Sequence, residues 1–212
     1  QTEAMLARRQ VRLWEKCLVE KRERCLRACW LFNNSFWEQN LPRSRAAPLF
    51  QKIIQPEHPA TSTSFAKGEI GTNVTVAPPF NCDYGYNISI GNNVQIDRDC
   101  SIDDAGCVII GNNCILGPGL TISTTLPTDH GDRRGVPRVA TVQGVKIEDD
   151  CWIGGQVVIC AGVCVGTGST ILPGAVVTED VPPRQTIAGN PARNVQGRDQ
   201  QICGVPSSFG LR

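Results

Sequence analysis

From Ile70 onward, aliphatic residues return every six positions in three phased runs. The runs are Ile90, Ile96 and Ile102; then Ile110, Leu116 and Ile122; then Ile147, Ile153, Ile159, Val165, Ile171 and Val177. A helix repeats near 3.6 residues and strand side chains alternate with a period of 2, so neither alone gives a strict six. Three short strands per turn of a triangular coil do. Each six-residue unit then supplies one flat side and one corner, with its aliphatic side chain stacked inward on the equivalent one in the next turn. The following residue is repeatedly glycine (Gly71, Gly91, Gly111, Gly117, Gly154, Gly166), which lets the backbone turn. Four positions after the aliphatic sits a second, generally smaller side chain, among them Cys100, Cys114, Cys151, Ser169 and Ala175. This is the hexapeptide pattern of a parallel β-helix, an all-β core.

Two interruptions break the period. The step from Ile102 to Ile110 is eight residues, which predicts a small bulge. Residues 123–144 suspend the pattern for 22 residues before it resumes at Ile147. Insertions of that length in compact domains usually serve function, and one anchored at both ends on a rigid coil is expected to project outward. Ahead of the coil, residues 3–32 lack Gly and Pro and carry apolar residues near helical spacing, so they read as one or two helices ending near Asn33–Asn34. Residues 40–66, with Pro42, Pro48, Pro56 and Pro59, read as a connector holding a short helix over Ala47–Ile54. The expected organisation is a helical cap and connector over 1–66, a coil over 67–185 with its projecting loop, and a tail over 186–212 packing on the coil.

Charge narrows the function classes. With 21 Lys+Arg against 20 Asp+Glu, the net of +1 offers no global field for nucleic acid or an anionic membrane. No stretch approaches the ~20 apolar residues of a membrane span, and the polar N-terminal stretch has no apolar signal core. Met5 is the sole methionine, so the natural start is expected there or upstream of Gln1. Eleven cysteines, an odd number with no CxxC pair, fit reduced thiols in a cytoplasmic protein better than a disulfide scaffold. Cys100, Cys114 and Cys151 fall in the small interior slot, where a thiol acts as a compact hydrophobe. With two histidines and no convergent short spacing, no metal site is expected.

Three stretches carry a resemblance: PPFNCDYGYNISIGNN (78–93), CWIGGQVVICAGV (151–163) and VVTEDVPPRQTIAGNPARNV (176–195). They resemble the maltose, galactoside and nodulation-type branch of the hexapeptide-repeat O-acetyltransferases, and EKRERCLRACWLFN (20–33) is similar to that family's helical cap. The resemblance runs from about residue 5 to 196. It implies a left-handed coil, a homotrimer with active sites in clefts between subunits, and acetyl-CoA lying along the groove between coils. It also implies that a loop histidine takes a proton from an acceptor hydroxyl, a role suited to a side chain of pKa ~6.5.

The catalytic histidine of that pattern is not matched. Where the family typically reads Thr-Ala-Thr-His-Pro-Leu-Asp, this chain reads Ser123-Thr124-Thr125-Leu126-Pro127-Thr128-Asp129-His130. Leu126 or Pro127 falls in the histidine slot, and neither accepts a proton. His130, four residues beyond Leu126, and Asp97, where the family usually presents an Asn, are the candidate replacement bases. On the cofactor side the resemblance carries over Trp152, Gly154, Gly155, Ala161, Pro173, Thr178 and Arg193, while Glu179 replaces a frequent Lys. For the acceptor it points to Arg22 from the cap, with Leu126 and Asp129 from the loop. Leu13 stands where sugar-acetylating relatives carry an acidic partner, so an acceptor less polar than a sugar is expected.

Three functional readings follow. The first is CoA-dependent acetyl transfer to a hydroxyl or amine of a small molecule. The second is cofactor-independent isomerisation or cyclisation on the same scaffold, because fold alone does not fix chemistry. The third is a catalytically silent relative. Affinity for CoA separates the first from the second, and a stable trimer with no turnover on any hydroxyl acceptor marks the third.

Overall fold

The computed structural model describes residues 9–13, 15–39, 43–56, 68–126 and 140–195. Parallel strands of two to four residues stack into three faces of a coil. The first face holds Glu69–Ile70, Ile88–Ile90, Val108–Ile110, Val145–Ile147 and Cys164–Val165. The second holds Thr75–Val76, Gln95–Ile96, Ile115–Leu116, Trp152–Ile153, Thr170–Ile171 and Thr186–Ala188, with Arg193–Asn194 added antiparallel at its end. The third holds Phe80–Cys82, Cys100–Asp103, Thr121–Ser123, Val158–Ile159 and Val176–Val177.

Register converts the sequence period into the core. Ile90 pairs with Ile110 and Ile110 with Ile147 on the first face, Ile96 with Leu116 and Leu116 with Ile153 on the second, and Ile102 with Ile122 and Ile122 with Ile159 on the third. Every one of these side chains is buried. Each buried aliphatic stabilises the coil by roughly 1.5–3 kcal/mol. Cys100, Cys114 and Cys151 fill the small slot as the pattern predicts, and their S–H groups donate to the carbonyls of Asp97 at 3.0 Å, Glu148 at 3.1 Å and Gly166 at 3.3 Å. No disulfide joins the described cysteines.

Helix α1 (Lys16–Gln39) and helix α2 (Arg43–Ile54) form the cap. Helix α1 runs past the expected end at Asn33–Asn34 because Asn33 turns its amide outward. Its Nδ2 donates to the Phe80 carbonyl at 3.0 Å and its Oδ1 accepts the Phe80 N–H at 2.8 Å. An amide side chain thus satisfies the open edge of the third face, an edge that would otherwise invite pairing with another chain. Phe32, Phe50 and Phe80 pack ring on ring beneath the cap. Gly85, at φ +78°, lies where an added Cβ would come within 2.1 Å of the Ile53 carbonyl oxygen, so the approach of α2 to the coil requires glycine there.

The N-terminal reading needs one correction. Arg9–Val11 is a strand, although helix formers surround it, and it pairs antiparallel with Ala140–Val142. Thr125–Leu126 pairs along the other side of Ala140–Val142, closing a small three-stranded sheet at the base of the excursion. The returning strand offers an open edge, and pairing with it overrides local helix propensity. No helix among the described residues is long and apolar enough to cross a membrane.

Candidate active site

All departures from the six-residue step fall at one corner, between the third and first faces. The chain takes eight residues from Cys82 to Ile90 and eight from Ile102 to Ile110, and it makes the long excursion after Ile122. The extra residues stack into a polar cluster with the cap. Arg22 Nη2 donates to the Tyr84 hydroxyl at 2.5 Å and to the Leu13 carbonyl at 3.2 Å, and its Nε lies 3.8 Å from Asp83 Oδ2. Its guanidinium stands 5.2 Å from the Tyr84 ring centre. In the turn above, Asp103 Oδ2 accepts the Ser123 hydroxyl at 3.2 Å and the Thr125 N–H at 3.1 Å. Leu126, next in the chain, is half-buried beside this cluster. Burial, reinforced by Asp103, raises the Asp83 carboxyl above its ordinary range despite Arg22.

A fully buried carboxylate supports the cluster from behind. Asp104 Oδ1 accepts the N–H groups of Asp83 at 3.0 Å and Tyr84 at 2.8 Å, while Oδ2 has no partner among the described residues. Burial pushes this acid up to about 7, against the opposing pull of the Tyr84 N–H.

Asp97 occupies the other end of the third face, before its strand at Cys100–Asp103. One of its oxygens accepts the Arg98 N–H at 2.8 Å. The residue also lines a cleft of about 920 Å³ between the cap and the second face, with Phe32, Phe50, Gln51, Val76 and Gln95. In the turns beyond, Gly117 and Gly154 follow Asp97 in one column, linked by N–H donation from Asp97 to Leu116, from Gly117 to Ile153 and from Gly154 to Ile171. An added Cβ on Gly154 would stand 2.6 Å from Pro173 N, so close packing demands glycine and leaves the groove floor bare backbone. Trp152 stands half-exposed on the adjoining face, in register with the similarly exposed Ile115.

The candidate residues therefore divide into two groups. Asp97, Trp152, Gly154, Gly155 and Pro173 share the corner between the second and third faces or the face beside it. Arg22 and Leu126 lie at the opposite corner, where Ala161 and Thr178 also follow the third-face strands. Exposed Arg193 lies 3.9 Å from exposed Glu179, the position where the resemblance leads one to expect a Lys. Asp129 and His130 lie outside the described residues. Sequence reasoning missed Asp83, Tyr84, Asp103 and Ser123; their signal was the lengthened step, visible at Ile102–Ile110 and repeated at Cys82–Ile90.

The family model for the bacterial transferase hexapeptide (six repeats) matches residues 144–179. Nodulation protein L of Rhizobium meliloti is 40% identical over 128 residues, 59% of this chain and 68% of that protein. The crystal structure of a maltose O-acetyltransferase from Clostridium difficile superposes with a TM-score of 0.75 at 30% identity, covering 91% of this chain and 94% of that one. A hexapeptide-repeat acetyltransferase of Vibrio cholerae, solved with acetyl coenzyme A, superposes at 0.76 with 28% identity, covering 92% and 96%. Against four of its curated relatives the matched region spans between 58% and 68% of their length. The chain belongs to the hexapeptide-repeat acetyltransferase family, on the branch of the maltose, galactoside and nodulation-type proteins.

Proposed function

We propose that this protein transfers an acetyl group from acetyl-CoA to a hydroxyl or amine of a small molecule. The observation that carries this reading is the match over nine-tenths of the chain to an acetyltransferase solved with acetyl coenzyme A. The groove fits such a cofactor, since Gly117 and Gly154 present bare backbone beside exposed Trp152 and Arg193 offers a cation to phosphate. Acetyl-CoA supplies the activated thioester; the chain supplies position and a base. Arg22, Tyr84, Asp83 and Ser123 hold the acceptor by hydrogen bonds, and half-buried Leu126 covers its less polar side. Asp97 or His130 would take the proton from the acceptor as its oxygen or nitrogen bonds to the acetyl carbon, and the carbon–sulfur bond would break to release CoA.

The division of the candidate residues supports a trimer with shared sites. Asp97 and the Arg22 corner stand at opposite ends of the third face, separated by on the order of 15 Å of strand and corner. One small acceptor does not reach both within a chain, and in a closed ring of head-to-tail contacts the two corners come from neighbouring subunits. Calorimetric titration with acetyl-CoA and free CoA tests the cofactor: micromolar binding at one per chain is expected, and no heat from an intact trimer defeats the proposal. Co-expression of Asp97→Ala with Arg22→Ala tests the sharing. Random mixing restores about a quarter of the sites if each site draws on two chains, and none if it draws on one.

A further inference from the structure

The cap meets the coil through three thiols. Cys25 and Cys29, one helical turn apart on α1, project from one face of the helix, and Cys82 ends the first strand of the third face. Their Sγ atoms all lie within 4.8 Å of one another, with Cys25 to Cys82 at 3.5 Å and Cys29 to Cys82 at 4.0 Å. Cys25 and Cys29 are buried and Cys82 is partly buried. Interior Cys100, Cys114 and Cys151 direct their S–H groups to corner carbonyls, and Cys114 and Cys151 also touch as a pair. Cys25 likewise reaches the Cys82 carbonyl at 3.4 Å, but only here among the described residues do three sulfurs converge. A disulfide would use two sulfurs and leave the third without purpose.

We infer that Cys25, Cys29 and Cys82 form a binding site for a thiophilic d10 cation, Zn(II) or Cu(I), that clips the helical cap to the β-helix. Ligand bonds of about 2.3 Å place sulfurs about 3.8 Å apart in a tetrahedral site and about 4.0 Å apart in a trigonal one. The observed separations bracket both values, so closure needs shifts of only a few tenths of an ångström for the measured pairs. On binding, three S–H bonds give way to three metal–sulfur bonds and three protons leave to solvent; nothing is oxidised. The cluster brings together positions 57 and 53 residues apart in the chain. An unfolded chain has no such preformed set, so metal affinity adds to folding stability.

The test uses the full chain, reduced and kept anaerobic, titrated with Zn(II) or Cu(I) in competition with a chromophoric chelator. One ion per chain is expected, with affinity falling at least 100-fold in Cys29→Ser and in Cys82→Ser while Cys17→Ser, at an exposed position, matches wild type. X-ray absorption on the loaded wild type needs no variant. Three sulfur neighbours at about 2.3 Å support the site; a fourth, lighter neighbour marks Zn(II) and three sulfurs alone mark Cu(I). Failure to retain either ion, full affinity in Cys82→Ser, or a two-sulfur shell (the Cys114 and Cys151 pair) overturns it.

Discussion

Replacing Asp104 by Asn is expected to stabilise the fold above neutral pH, although it alters a fully buried side chain that accepts two backbone N–H groups. Burial lifts the folded-state pKa to about 7 from 3.8 in an ordinary environment, and the neighbouring Asp83 carboxylate adds to the rise. Cys25, Cys82 and Tyr86 face the same acid and stay neutral alongside it at pH 7, their own groups pushed up. A raised folded pKa means that the protonated acid is favoured in the fold. Its contribution is therefore complete below about pH 4 and is lost as pH climbs through 7. The difference corresponds to about 4 kcal/mol, at 1.36 kcal/mol per pKa unit. Asn keeps an oxygen for the Asp83 and Tyr84 N–H groups, and its NH2 replaces an oxygen that has no partner among the described residues. That unpaired donor costs about 1 kcal/mol at every pH. Urea unfolding of both proteins at one chain concentration, from pH 4.5 to pH 8.5, should show the two about equally stable at the acid end, where the wild type has already lost about 1 kcal/mol, and Asp104→Asn stronger by about 3 kcal/mol at the alkaline end. A pH-independent difference would refute the reasoning, because Asp104 would then be ionised in the fold across the range.

Other expectations are as direct. Ile153→Ala, in the middle of the second-face stack and fully buried, should lower unfolding stability by about 2–5 kcal/mol in a denaturant titration. Gly85→Ala should weaken docking of the cap, read as faster proteolysis within 16–54 while the coil resists, since its Cβ meets the Ile53 carbonyl at a positive φ. Glu179→Lys releases Arg193 and adds a second cation, so the KM for acetyl-CoA should fall several-fold with kcat unchanged. Arg22→Ala should raise the KM for the acceptor and leave that for acetyl-CoA in place, because its partners are Tyr84, Asp83 and the Leu13 carbonyl, all at the acceptor corner.

The coil was legible in the chain because each of its contacts repeats a local rule. Ile153 and Ile171, and Ile159 and Val177, stack across three regular six-residue units each, so a period in one dimension becomes a face in three. The same rule placed Cys100, Cys114 and Cys151 in the interior. It failed where a residue's partner belongs to no period. Arg9–Val11 has helix formers around it and became a strand because the returning Ala140–Val142 offered an edge. Asn33 read as a helix end, yet the helix continues, since that side chain answers the open edge at Phe80.

The candidate site divides along the same line. Resemblance located Arg22, Asp97 and the glycine groove, each within a short contiguous stretch. Asp83 and Tyr84, Asp103, and Ser123 come from three successive turns, spread from 83 to 123 in the chain, and only the stacking of those turns at one corner sets the Asp103–Ser123 pair above the Asp83 and Tyr84 groups that meet Arg22. The convergence of Cys25, Cys29 and Cys82 has the same origin: two positions are fixed by a helical turn and the third by where the coil's first strand ends beneath it. Periodic packing is written in residue order because every contact is between equivalent neighbours. Contacts between the cap and the coil join unlike elements at long separation, and tertiary structure alone decides which side chains they bring together.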